Sequence, residues 1–121
     1  MDWKIIAVVA AVLAVFLLLK RAGLISAKAA RELLRQGALT IDVRTEGEFA
    51  AGHLPRAINL PLDQIETALP RRVADKDKPL LLHCASGMRS GAAKAKLKAL
   101  GYTNAHNLGS YARAARIVQG V

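Results

Sequence analysis

The chain has a single cysteine, Cys84, in the stretch Leu80-Leu-Leu-His-Cys84-Ala-Ser-Gly-Met-Arg89-Ser-Gly91. An apolar run of strand length ends at this cysteine, and after a short loop the spacing predicts a helix from Ser90 to Leu100. In open α/β sheets, sites form beyond the carboxyl ends of strands, which is where Cys84 falls. Gly87 lets the backbone curl, so the amides of Ala85, Ser86, Gly87, Met88, Arg89 and Ser90 can turn inward as an anion nest. The helix adds its positive end and Arg89 a fixed cation. All three favour thiolate over thiol, and such surroundings lower a cysteine pKa from about 8.5 to about 3.5–7.5. The competing reading is a buried, inert cysteine packed as a small hydrophobe. A strand-end position followed by Gly and Arg at this spacing argues for reactivity.

Thiolate attack on a sulfur–sulfur bond needs no positioned general base. The loop then has to stabilise a sulfur anion with preorganised N–H donors, as oxyanion holes do for oxygen. His83 invites a Cys–His pairing, but neighbouring strand side chains point to opposite faces. Between Cys84 and Arg89 stand four residues, Ala-Ser-Gly-Met, a ring tighter than cysteine phosphatases use around a phosphate. The loop also lacks an Asp or Glu to protonate a leaving group. One cysteine excludes an internal disulfide, so a redox-sensor role would need an outside thiol. His53, His83 and His106 are scattered singly, so neither a metal site nor a cofactor is expected.

The elements that must position Cys84 alternate along the chain. Helices are predicted over 27–36 (capped by Ser26, ended by Gly37), from Thr45 through Ala51 on capping-box spacing, over 62–69 with Pro70 as the stop, and over 110–118. Short strands are predicted at 39–43, 57–60, 79–83 and 104–108. Strands alternating with helices imply a parallel sheet with right-handed crossovers.

Ahead of this domain, Ile5 through Leu19 contains no polar side chain and is apolar on every helical face, which suits lipid. Fifteen residues reach only about 22 Å, so Trp3 in the headgroup zone and snorkelling Lys4, Lys20 and Arg21 are needed to approach a span. The expected organisation is a transmembrane anchor over 1–21, a linker over 22–25 and a domain over 26–121. A cleaved signal peptide is the rival, with Ala27-Lys28-Ala29 imitating its cleavage site. Against it, Lys20-Arg21 intervenes and cleavage would cut into the first helix of the domain. Basic residues after the span place the domain on the cytoplasmic side of the cell inner membrane, single-pass, with a periplasmic domain as the alternative. The net charge of +9 leaves +7 beyond the first 21 residues, which hold Lys4, Lys20 and Arg21 against Asp2. No basic run interleaved with aromatics accompanies it, so the charge suits an anionic lipid surface and nucleic acid is not expected as a partner.

Ile41-Asp-Val-Arg44, Glu48-Phe49, Gly52-His-Leu-Pro-Arg-Ala-Ile-Asn-Leu-Pro61, Cys84-Ala-Ser-Gly-Met-Arg-Ser90 and Leu100-Gly-Tyr-Thr-Asn-Ala-His-Asn-Leu-Gly109 together resemble, in order and spacing, the single-domain rhodanese family, nearest to its short phage-shock-type members. The likeness covers about residues 26–118. It implies a three-layer α/β/α fold with a central parallel sheet of about five strands, here preceded by one N-terminal transmembrane helix. It further implies a catalytic cysteine, matched by Cys84, that accepts a sulfane sulfur and passes it on. The donor would be a small sulfur-containing anion such as thiosulfate, or a persulfide, and the acceptor cyanide, a thiol or a protein. Ala85 to Ser90 would wrap the persulfide, with Arg89 holding its charge or an incoming anion. Asp42 and Arg44 would support the site from the end of the first strand. The alternative is a membrane-tethered binding or persulfide-carrier module with little turnover. The chain departs from the family pattern after Leu108, where Gly109-Ser-Tyr-Ala-Arg113 lacks a second glycine and a tryptophan.

Overall fold

The structure, a computed structural model, describes residues 2–121, and the side chains of residues 19–22 lie outside the described part. Met1, the Leu19 end of the apolar run and the snorkelling expected of Lys20 and Arg21 fall outside it as well. The helices are α1 (Trp3–Ala22), α2 (Ala27–Arg35), α3 (Glu46–Ala51), α4 (Ile65–Arg72), α5 (Met88–Ala99) and α6 (Tyr111–Gln119). The strands are β1 (Leu39–Asp42), β2 (Ile58–Asn59), β3 (Leu80–His83) and β4 (Ala105–Gly109).

All pairings are parallel, in the order β2-β1-β3-β4, so β3 lies inside the sheet and delivers Cys84 at its carboxyl end. The period-two alternation of a strand sorts β3 between two cores. Leu80, Leu82 and Cys84 pack with Ile41 and with Ile65, Leu69, Ala93 and Leu97 of α4 and α5. Leu81 faces the other way, onto Ala30 of α2 and Ala114 and Ile117 of α6. The three β3 leucines are fully buried, each contributing about 1.5–3 kcal/mol. The layers are helix, sheet, helix.

Four strands form where about five were expected. Leu24 makes one isolated bridge to Asn107, with the Ile25 N–H donating to the Asn107 carbonyl at 3.0 Å. Ser26 then accepts from the Ala29 N–H and turns the chain into α2, so a fifth strand has no room to extend. Near Pro70 the expectation also fails. A 3-10 turn at Leu62–Gln64 leads into α4, which runs through Pro70 to Arg72. Proline deprives the Glu66 carbonyl of its donor, but both residues are exposed and water can replace it. Helix α5 begins at Met88 rather than Ser90, because Gly87 turns the chain into it at φ +96°.

Helix α1 has 20 residues and keeps its described apolar side chains exposed, Trp3 at 72% and Leu18 at 64% among them. Among the described residues no helix is long and apolar enough to cross a membrane, so the expected transmembrane helix is not found there. The described apolar part ends at Leu18, which at ~1.5 Å per residue from Trp3 reaches about 24 Å of the ~30 Å needed.

Candidate active site

Cys84 follows β3 directly, and its N–H donates to the Gly109 carbonyl at 3.3 Å. Its sulfur accepts from the Gly87 N–H at 3.0 Å and the Ser90 N–H at 3.4 Å, with the Ser90 hydroxyl 3.5 Å away. Both N–H groups belong to the start of α5, where helical geometry leaves donors without internal partners. The sulfur occupies the place a capping side chain would take. Gly87 is required at the bend: its φ is +96°, and a Cβ there would lie 3.2 Å from Gly109 Cα. Burial pushes the Cys84 thiol up, but hydrogen bonds to the sulfur from Ser90 and from the Gly87 and Ser86 N–H groups outweigh it, and the pKa falls below its ordinary value. Cys84 is 0% exposed, deeper than the sequence reading of an open strand end implies. The loop wraps the sulfur closely enough to cover it.

The remaining loop residues divide. The Ala85 carbonyl accepts from the Tyr111 N–H at 3.3 Å, tying the loop to α6, and the Met88 side chain stands 75% exposed at the lip. Arg89 is turned to Glu48 of α3 in a two-pronged pair, Nη1 to Oε1 at 2.6 Å and Nη2 to Oε2 at 3.0 Å. The same Glu48 closes the Thr45 capping box. The Arg89 side chain, first among its partners, and the Thr45 N–H hold the Glu48 carboxyl at about 2. Sequence reading singled out Glu48 only as a cap and a motif letter. Its local task hid the distant one.

Asp42 and Arg44 meet at the end of β1. Arg44 donates from Nη2 to Asp42 Oδ2 at 2.8 Å, from Nε to Oδ1 at 3.0 Å and from its N–H to Oδ1 at 2.9 Å. A further bond reaches the Gly52 carbonyl, and the guanidinium lies 4.7 Å over the Tyr111 ring. Asn59 brackets the turn by donating to the carbonyls of both residues. These bonds fix the β1 end beside the loop and none goes to sulfur. His83 is fully buried on the α6 face, its Nε2 3.9 Å from Asp42 Oδ2 and neither ring nitrogen hydrogen-bonded. Burial holds it below the ordinary histidine pKa. Away from the sulfur and lacking a partner, it has no route to act as a base. His53 bonds locally, its Nδ1 donating to the Phe49 carbonyl at 3.0 Å.

The rhodanese-like domain family model matches residues 26–113. The chain belongs to this family. It is 36% identical over 69 residues to the thiosulfate sulfurtransferase PspE of Escherichia coli K12, covering 57% of this chain and 66% of that protein. The tRNA uridine(34) hydroxylase of Erwinia tasmaniensis is 33% identical over 87 residues, covering 65% of this chain but only a quarter (25%) of that protein. Among solved structures, the human single-domain sulfurtransferase TSTD1 superposes with a TM-score of 0.66 at 30% identity, covering 78% of this chain and 96% of that one. The chain thus spans just under two thirds, or much less, of these curated relatives, and nearly all of a single-domain relative.

One feature of this rhodanese-like domain bears on access to its cysteine. A groove of about 530 Å³ runs along the outside of the loop, lined by Ser86, Gly87 and Met88 together with Leu24, Ser110 and Arg113, and it does not reach Cys84. Among the described residues no group of three or more His, Cys, Asp or Glu side chains could hold a metal ion.

Proposed function

We propose that this chain is a sulfurtransferase that carries a sulfane sulfur on Cys84. The observation that carries the reading is the convergence of the Gly87 and Ser90 N–H groups on one sulfur atom, at 3.0 and 3.4 Å. In the first half-reaction the Cys84 thiolate attacks the outer sulfur of thiosulfate, and the electron pair of the broken S–S bond leaves with sulfite. A persulfide, Cys84–S–S⁻, remains. In the second, a nucleophile such as cyanide or a thiol attacks the outer sulfur, and the electron pair returns to Cys84 as thiolate. The loop N–H groups supply donors for the anionic sulfur in both halves without reorganising. Arg89, placed beside the loop and neutralised in part by Glu48, supplies a directional rather than a free positive charge. The name of the PspE relative supports thiosulfate as a donor.

The complete burial of Cys84 favours a second reading, a persulfide carrier that turns over slowly until a partner opens the loop. Intact mass spectrometry of the full chain after thiosulfate tests both, since each predicts one added sulfur, ~32 Da by the exchange chemistry, absent in Cys84→Ser. Steady-state thiocyanate formation then separates them. No added mass on the wild-type chain eliminates the two together.

The membrane assignment is likewise a proposal. We infer that α1 anchors the domain at the inner membrane with the domain on the cytoplasmic side, supported by apolar side chains exposed all round that helix. Its short described length demands a thinned bilayer or interfacial help from Trp3. Carbonate extraction of membranes followed by protease treatment of intact cells checks it. Release of the chain by carbonate overturns the anchor, and cleavage in intact cells overturns the side.

A further inference from the structure

Asn107 does not touch sulfur, yet its side chain ends on the groups that do. It lies on β4 in register with Leu82 and is 5% exposed. Its Nδ2 donates to the Gly87 carbonyl at 3.1 Å, while its Oδ1 accepts from the Gly109 N–H at 2.9 Å and from the Ser90 hydroxyl at 2.7 Å. This set fixes the amide's orientation. Exchanging O and N would place an NH₂ against the Gly109 donor and an oxygen against the Gly87 carbonyl.

The Ser90 hydroxyl has one proton and three acceptors around it: Asn107 Oδ1 at 2.7 Å, the Gly87 carbonyl at 3.2 Å and Cys84 Sγ at 3.5 Å. An O–H···O bond is best near ~2.7–2.8 Å, so the proton goes to the amide oxygen. Resting on the reading of Cys84 as a working thiolate, we propose that Asn107 is a positioning residue that withholds the Ser90 proton from the sulfur. Main-chain N–H groups alone then hold the thiolate. Each donor added to a thiolate lowers both its pKa and its nucleophilicity, the latter with a Brønsted slope of about 0.4–0.5. Asn107 therefore keeps the sulfur ionised by the backbone but not further quenched by a hydroxyl. The other charged or titratable groups around the loop are Arg89, held by Glu48, Asp42, held by Arg44, Arg113, held by the Leu108 and Ile25 carbonyls, the buried His83 and the half-buried Tyr111 ring. None of them bonds Asn107.

The test is a pH titration of Cys84 by its ultraviolet thiolate absorbance, together with the pH profile of its reaction with a small aromatic disulfide, on the full chain. Neither readout involves a sulfur donor, so a failure here is distinct from a failure of sulfur transfer. Asn107→Ala frees the hydroxyl to turn to sulfur. The midpoint should fall by about one unit, tenfold in the ionisation constant, and the high-pH plateau rate should drop about threefold, as a slope of ~0.4–0.5 implies. The fall should vanish in the Ser90→Ala background, where there is no hydroxyl to release. An unmoved or raised midpoint in Asn107→Ala, or an equal fall without the Ser90 hydroxyl, overturns the proposal. If Asn107→Ala loses its cooperative melt, Asn107→Ser, whose hydroxyl is too short to reach Ser90, carries the same expectation and the same refuting result.

Discussion

Replacing Gly87 with alanine should cost far more than replacing a glycine of equal dihedral angle elsewhere. Two effects add at position 87. A side chain at φ +96° meets the left-handed penalty, about 1–2 kcal/mol. Its Cβ would also lie 3.2 Å from Gly109 Cα and 3.3 Å from the Gly109 carbonyl carbon. Those are backbone atoms of a second tightly turned glycine, which cannot swing aside, so an overpacking cost of about 1–3 kcal/mol follows. The sum is about 2–5 kcal/mol, a loss on the order of 10–40 °C in Tm for a domain of this size. Gly101 supplies the control, since its φ is +94° and nothing lies within 4 Å of its missing Cβ. Gly101→Ala should therefore show only the first effect, about 1–2 kcal/mol. Thermal melts and urea denaturation of the two variants measure the difference. Because the Gly87 N–H sits 3.0 Å from the sulfur, Gly87→Ala should also raise the Cys84 ionisation midpoint, whereas Gly101→Ala should leave it at the wild-type value. Equal destabilisation by the two alanines, with no movement of the midpoint, would refute the reasoning.

Asp42→Ala strands the Arg44 guanidinium, which is 9% exposed, and removing one partner of such a pair should cost about 3–5 kcal/mol in urea denaturation. Glu48 is held at about 2 against an ordinary value of 4.5, so its folded pKa is depressed. Its contribution is complete above the ordinary value and drains away as the pH falls from there toward about 2; melting curves across that window should slope for the wild type and flatten for Glu48→Gln, with high salt shrinking the difference. His83 also has a depressed folded pKa, by burial. For a base this means that the unfolded chain takes up the proton first, so stability present above the ordinary histidine value falls as the pH drops below about 6.5. His83→Leu should remove that acid-side loss, and an unchanged profile would mean the ring is not buried as described. Thr45→Ala, which deletes the α3 cap, should cost about 1 kcal/mol by thermal melt.

What the sequence disclosed was mostly local. The Thr45–Glu48 capping box, the Ser26 cap and the apolar β3 run ending at Cys84 all act within a few residues, so spacing alone reveals them. The turn at Gly87 was legible for the same reason. Partnerships across the fold were not. Glu48 and Arg89 are 41 residues apart, and a glutamate already assigned to a cap gives no sign of a second duty. Asn107 looked like one polar letter in a short strand, because its bonds to Gly87 and Ser90 depend on β4 lying beside β3. The depth of Cys84 escaped as well, since a strand-end position says where a side chain begins but not how tightly the next loop closes over it. The missing fifth strand turned on competition at Ser26, where a helix cap one residue past Ile25 ended a pairing that had just begun.

That the donors facing Cys84 are peptide N–H groups has a consequence for how this protein can change. Every amino acid except proline carries such a group, so the contact is written in the path of the chain and not in its alphabet. The outward side chain of Met88 and the small ones at 85 and 86 are then free to be exchanged for others that recognise a different visitor. A randomised library at those three positions should yield many survivors with altered preferences, while the glycine that sets the path should return unchanged from every round.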